Sequence, residues 1–259
     1  MKNNPLVNNA RRRLYANIGI WTVFLVWTLC ALPFLLMAAA FPFLFVGKSI
    51  ILLRYGMWYF GRIQLFFLKP WLPVSCLNAD TAKEHPGSIL VCNHQSFLDL
   101  YLFAAQTQKN LCFVTKSWPY RKLFFFAPAM RRAGYVDAEA LDVADFERLC
   151  VQRLKEGATL VFFPEGSRTH TGELGSFHAG AFRVACLADR PVIPMVIANS
   201  FAIFSRKARS FTPDTVRITL LSPVYPATFA KEPLPHRAMM RAVRGMFSTV
   251  LDQPKDSAL

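Results

Sequence analysis

Apolar residues run almost unbroken through the first quarter of the chain and then split into short, spaced runs. Residues 14–47 form a stretch of 34 positions without a charge. As one straight helix it would reach about 51 Å, beyond a hydrocarbon core of roughly 30 Å, yet it is too short for two full spans. Pro33 and Pro42 are expected to break it. Two arrangements follow. One is a single tilted span over about residues 18–37. The other is a helical hairpin dipping into one leaflet, its second arm running through residues 50–67. Arg11, Arg12 and Arg13 precede the run, and Lys48, Arg54 and Arg62 follow it. Positive charge on both sides fits the positive-inside rule most simply if both ends are cytoplasmic, which favours the hairpin. Trp21, Trp27, Tyr55, Trp58 and Tyr59 suit the membrane interface. Ala38-Ala39-Ala40 mimics a signal cleavage site, but the apolar stretch is long for a signal and continues past it, so the segment reads as retained.

After the Lys69-Pro70-Trp71-Leu72-Pro73 linker the period changes. Apolar runs at 88–92, 111–115, 159–163, 191–198 and 216–221 read as strands, with a short one at 134–137. Helical spacing recurs after Asn93 (Phe97, Leu98, Tyr101, Leu102, Ala105) and over 119–130, 143–156, 178–188 and 235–251. Asp142 is placed to cap the third of these helices and Gly157 to end it. The fold class is therefore α/β, a mixed sheet flanked by helices, with an N-terminal apolar membrane-associated helical module. Residues 1–70 form the membrane-associating segment and 71–259 the globular domain.

Composition narrows the partners. The net charge is +14, the hydrophobic share 53%, and there are 24 Phe. Such a basic balance suits anionic lipid, an acidic partner or nucleic acid. Nucleic acid is disfavoured, because the charge accompanies a very apolar N-terminus and no nucleic-acid motif. The six cysteines are widely spaced and form no CxxC pair, so they read as reduced thiols of a cytosolic-facing domain. No metal site is expected: His94, His170 and His178 lack metal-ligand spacing.

Two stretches carry candidate chemistry. Asn93-His94-Gln95-Ser96-Phe97-Leu98-Asp99 lies where a strand gives way to a helix, and side chains there face the crevice beyond the strand ends. A carboxylate at Asp99 can reach the His94 imidazole, fix its tautomer and make it a base for a hydroxyl. About 70 residues on, Phe163-Pro164-Glu165-Gly166-Ser167-Arg168-Thr169 follows a second strand and brings a carboxylate, a glycine and an Arg into one loop. Neither Ser96 nor Ser167 sits in a GxSxG elbow. His170 reads as solvated, and Arg206, Lys207 and Arg209 as a solvated basic face or one that meets anionic lipid or an acyl carrier.

With both blocks present in this order, residues 75–225 resemble the glycerophospholipid acyltransferase family, typified by 1-acylglycerol-3-phosphate acyltransferases, with NHQSFLD and FPEGSRT in place of its NHxxxxD and FPEGTRS blocks. The resemblance implies transfer of a fatty acyl group from acyl-CoA or acyl carrier protein to the hydroxyl of a lysophospholipid, on the cytoplasmic face of a membrane, with no cofactor beyond the thioester co-substrate. His94 would be the general base and Asp99 its orienting carboxylate. Backbone N–H groups after Asn93 would serve the oxyanion. Glu165, Gly166, Ser167, Arg168 and Lys116 would form the substrate site, with Arg168 on the acceptor's phosphate. Three departures bear on the acceptor. The run 134–138 ends in Ala138 without the family's basic residue, His178 stands where a Lys is usual, and Lys116 is followed by Ser117-Trp118. The same chemistry on a different hydroxyl, and a thioester hydrolase, stay open as alternatives.

Overall fold

The computed structural model of the 259-residue chain describes residues 5–41, 43, 49–123 and 126–252. Helix α1, Pro5–Ala40, and helix α2, Ser49–Leu68, form the N-terminal pair. The expected break at Pro33 is absent, because α1 runs through it. Long apolar runs on both sides propagate the helix, and a single missing N–H is tolerated where neighbouring groups meet the freed carbonyl. Pro42 lies outside the described residues. The two helices pack on each other: Trp27 Nε1 donates to the Phe60 carbonyl at 2.9 Å, and its ring stacks on Phe60. Residues 10–34 form the described helical stretch long and apolar enough to cross a membrane.

A seven-stranded sheet follows: β1 (Val74–Leu77), β2 (Ile89–Cys92), β3 (Leu111–Thr115), β4 (Val136–Asp137), β5 (Thr159–Phe162), β6 (Val192–Ala198) and β7 (Val216–Leu220). Their spatial order is β1-β7-β6-β2-β5-β3-β4. Every pairing is parallel except β6 with β7. The mixed sheet matches the expectation. β2 and β5 are buried on both faces, which explains why their sequences are continuous apolar runs rather than alternations.

Helices α3 (Thr81–Glu84), α4 (Asp99–Leu102), α5 (Trp118–Lys122), α6 (Ala127–Arg132), α7 (Val143–Lys155), α8 (Gly180–Ala188), α9 (Ser200–Ile203) and α10 (Pro235–Leu251) complete the described fold. The Asp142 side chain accepts the Asp145 N–H at 2.8 Å, the expected cap of α7. Two expected helices differ. The one after Asn93 is a turn followed by the four residues of α4 and a 3-10 turn, Phe103–Ala105. The 119–130 helix is two short ones, because Pro128 sits near the start of α6 and Leu123 leaves helical backbone. Phe124 and Phe125 lie outside the described residues.

The core lies on both faces of the sheet. One side, with Val91, Leu160, Val196 and Phe182, is covered by α7, α8 and α10. The other, with Leu90, Val161, Met195 and Ile218, receives α1 and α2. Ala16, Ile20 and Phe24 recur every fourth residue as the buried stripe of α1, while Leu14, Ile18, Leu25, Val26 and Leu29 remain exposed. Asn17 fixes the docking: its side chain donates to the Phe211 carbonyl at 2.9 Å and accepts the Phe211 N–H at 2.6 Å. Arg54 of α2 does the same at the far end. It is buried, and donates from Nε to the Ala133 carbonyl at 2.7 Å and from Nη1 to Asn110 Oδ1 at 3.0 Å.

Candidate active site

The site forms where β2, β5, β3 and β6 end side by side. β2 delivers Asn93 and His94. Asn93 extends the β2–β6 ladder by one rung made from its side chain: Nδ2 donates to the Ile197 carbonyl and Oδ1 accepts the Ile197 N–H, each at 2.8 Å. The chain then leaves the sheet with the next residue, His94, at its upper edge.

His94 Nδ1 lies 2.8 Å from Asp99 Oδ2. That oxygen also accepts the N–H of Gln95 at 2.6 Å and of Ser96 at 2.8 Å, and the Ser200 hydroxyl donates to Oδ1 at 2.8 Å. Asp99 is fully buried and surrounded by donors. Such a carboxylate acts as an acceptor, so the shared proton belongs to His94 Nδ1 and the basic lone pair to Nε2. Phe163 stacks on the imidazole, centroid to centroid 4.0 Å and tilted 22°. The ring is thus held in plane by one neighbour and in rotation by another.

β5 delivers Phe163-Pro164-Glu165-Gly166. The chain turns with Gly166 at φ +69°, where a side chain would be strained and would also press on His178. Glu165 does not face the open site. Its Oε1 accepts the His94 N–H at 2.8 Å and its Oε2 the Gly175 N–H at 2.9 Å, so it bolts the β2 loop to the loop after β5. Burial pushes the Glu165 carboxyl above its ordinary range, against the pull of these two N–H groups. The Thr169 N–H donates to the His94 carbonyl at 2.9 Å and completes the brace.

One consequence corrects an expectation. The N–H groups of His94, Gln95, Ser96 and Leu98 are engaged by Glu165, Asp99 and Ser96 Oγ, so they are not the free donors an oxyanion needs. The cations are placed differently. Lys116, at the end of β3, and Arg168 both line a cavity of about 1260 Å³ with His94, Gly166 and Ser167. His178, which replaces the usual Lys, lines it as well, and so does Ala138. The cavity continues along Phe113, Leu111, Met130 and Tyr135, where Arg54 also lines it, and on to Phe24, Leu25 and Ala31 of α1. The lining is mostly apolar, with Lys116, Arg168 and Arg206 in the part that holds His94 and Arg54 in the part that holds Tyr135.

Three residues of the site carry no signal in the sequence. Ser200 and Asn93's partner Ile197 lie about a hundred positions from the residues they hold. Arg206, read as part of a solvated face, lines the cavity beside Arg168. The cysteines supply no nucleophile: Cys92, beside the site, is buried among Asp99 and Glu165 and held as a thiol well above its ordinary pKa.

A mixed sheet flanked by helices, with a His–carboxylate pair at its strand ends beside a largely apolar cavity that also holds cations, defines an α/β protein with a candidate acid–base site. Residues 73–198 match the acyltransferase family profile. The chain is 30% identical over 184 residues to the chloroplastic 1-acyl-sn-glycerol-3-phosphate acyltransferase of Arabidopsis thaliana, covering 64% of this chain and 50% of that one. It is 29% identical over 144 residues to the 1-acyl-sn-glycerol-3-phosphate acyltransferase of Helicobacter pylori, covering 54% and 60%. The crystal structure of the 1-acyl-sn-glycerophosphate (LPA) acyltransferase from Thermotoga maritima superposes with a TM-score of 0.73 at 21% identity, over 95% of this chain and 98% of that one. The profile match covers the segment from β1 through β6 that builds the site. The chain spans about half the length of the plant relatives it matches.

Proposed function

We propose that the protein transfers a fatty acyl group from an acyl thioester, acyl-CoA or acyl carrier protein, to the free hydroxyl of 1-acylglycerol-3-phosphate, at the cytoplasmic face of a membrane. The observation that carries this reading is the His94–Asp99 pair at 2.8 Å, its imidazole lining a largely apolar cavity that also holds cations. His94 Nε2 takes the hydroxyl proton as that oxygen attacks the thioester carbonyl. Asp99 stabilises the imidazolium. The tetrahedral intermediate expels the thiolate, which takes the same proton back from Nε2, so the ester and free thiol form with no covalent acyl-enzyme. With the N–H groups of His94, Gln95, Ser96 and Leu98 engaged and Arg168 on the acceptor's phosphate, the Lys116 ammonium is the cation that supports the developing oxyanion. The names of the relatives support the acceptor, and the apolar faces of α1 and α2 support the membrane.

The test is thiol release from acyl-CoA and acyl carrier protein by the detergent-purified protein, with and without lysophosphatidic acid, beside His94→Ala. Release that requires lysophosphatidic acid and is lost in the variant is the expected result. Release without any acceptor makes the protein a hydrolase. A second reading, the same chemistry on another hydroxyl, is favoured by one observation: Ala138 and His178 line the cavity where the family carries cations. Release that depends on a neutral lysolipid or alcohol would decide for it.

A further inference from the structure

Arg206 sits on the chain between α9 and β7, within the turn in which the Ala208 N–H donates to the Ser205 carbonyl. Its Nη1 is 3.2 Å from His170 Nε2, so the imidazole accepts a hydrogen bond from the guanidinium. His170 belongs to the loop after Arg168, and that loop is seated firmly. Gln95 Nε2 donates to the Gly172 carbonyl at 3.3 Å, and Gly172, at φ +91°, lies against Phe201 so closely that a Cβ would stand 2.9 Å from its ring. Two segments some 36 positions apart therefore bring Arg206 and Arg168 to the same wall of the cavity.

The charges there are unbalanced. Burial, and next the Arg206 charge, pull the Arg168 guanidinium below its ordinary value. Among the described residues, neither Arg168, Arg206 nor Lys116 forms an ion pair with a carboxylate. Guanidiniums held near each other against like-charge repulsion in a cavity lining, with Asp99 and Glu139 in the neighbourhood but neither paired to them, are an arrangement that an anion completes. A phosphomonoester supplies two negative charges and three acceptor oxygens, which suits two forks. A phosphodiester offers one charge and fewer oxygens.

We infer that Arg206, oriented by His170, is a second guanidinium for the acceptor's phosphate, and that this pair makes the site select a phosphomonoester over a phosphodiester or an uncharged acceptor. The inference rests on the acyl-transfer reading above and deepens it. It also answers the family departure at Ala138: the positive charge missing from the end of β4 is supplied by another residue of the same cavity lining. Arg206 binds substrate, while His170 is a positioning residue that acts through it.

The experiment compares Arg206→Ala, Arg206→Lys, His170→Ala and His170→Asn in mixed micelles at saturating acyl donor. The varied acceptors are lysophosphatidic acid, lysophosphatidylglycerol and monoacylglycerol. Losing one charge-assisted fork should raise KM for lysophosphatidic acid by about 10- to 100-fold in Arg206→Ala, with kcat little changed. Arg206→Lys should recover part of that, since it keeps the charge without the fork. His170→Ala should raise the same KM by less, and His170→Asn, whose amide oxygen can still accept, should restore it. The rise should be smaller for the phosphodiester and absent for monoacylglycerol. Equilibrium binding of lysophosphatidic acid to the His94→Ala protein, with and without Arg206→Ala, reads the same loss without turnover. A wild-type protein that does not use lysophosphatidic acid overturns the parent reading and this one together. A wild type that uses it, with Arg206→Ala affecting all acceptors equally or none, overturns this inference alone.

Discussion

Asp99 Oδ2 accepts three hydrogen bonds at once, from the His94 ring at 2.8 Å and from the N–H groups of Gln95 and Ser96. The carboxylate that orients the imidazole is therefore also what folds the loop carrying it. Asp99→Asn should damage both. An amide presents a donor where three donors already converge, and it no longer selects the Nδ1–H tautomer. Turnover should fall by about 10³- to 10⁴-fold, as loss of an orienting carboxylate does in a His-based site. Stability should fall by about 1–3 kcal/mol for the unsatisfied buried groups. Thioester turnover and thermal unfolding in detergent check the two halves separately.

Ser200→Ala tests the next layer out. It removes the hydroxyl that donates to Asp99 Oδ1 without changing the loop's other bonds. Asp99 keeps three donors, so the expected loss is smaller, about 10-fold in kcat, equivalent to roughly 1.4 kcal/mol. A loss as large as that of Asp99→Asn would mean that α9 itself collapses, which circular dichroism and unfolding would show.

Glu165 predicts a pH dependence. Its folded carboxyl lies above the ordinary range, chiefly through burial, so between the unfolded and the folded values the folded chain binds more protons than the unfolded one. Stability owed to this group should therefore rise as pH falls through that window, and ionisation at higher pH should cost stability. Activity should move the other way. A protonated Glu165 turns one of its oxygens into a donor against the His94 or Gly175 N–H and loosens the brace. Glu165→Gln should abolish this contribution to the pH dependence of stability and leave the enzyme slow at every pH. Melting temperature and rate measured across the acid range test both signs.

Arg54→Ala should unseat the N-terminal helices from the sheet at one end. It leaves the Ala133 carbonyl and Asn110 Oδ1 without their buried donor, at a cost of about 2–5 kcal/mol. Limited proteolysis near α2 and the unfolding temperature read the effect. Thiol reagents under native conditions should leave activity intact by comparison, because Cys92, Cys112 and Cys150 are buried and protonated and only Cys30 is exposed.

What could be read in advance follows from how local each signal is. β3 matches the expected 111–115 because its apolar run needs no partner to be recognised. His94 and Asp99 are five positions apart, so their meeting is settled by one turn of chain, and Arg168 rides in the same loop as Glu165. The rest depends on pairing at a distance. Ser200, Arg206 and the Ile197 rung on Asn93 become parts of the site only once β6 lies beside β2. The engagement of the His94 N–H is equally hidden, since it depends on Glu165 crossing from the neighbouring strand, whereas those of Gln95, Ser96 and Leu98 are met within the same short stretch. Pro33 illustrates the opposite failure: a strong local breaker is overruled by the apolar helix on either side of it.

The lining of the cavity by side chains of both α1 and α2 has a kinetic consequence if these helices meet lipid, as proposed. An acceptor dissolved in that lipid would then arrive by sliding within the plane of the bilayer, and water need not be crossed. The concentration that governs saturation is then the mole fraction of acceptor in the surface. Adding inert detergent or phospholipid at fixed total acceptor should slow the reaction by dilution in two dimensions, whereas enlarging the aqueous volume should leave the rate per enzyme unchanged.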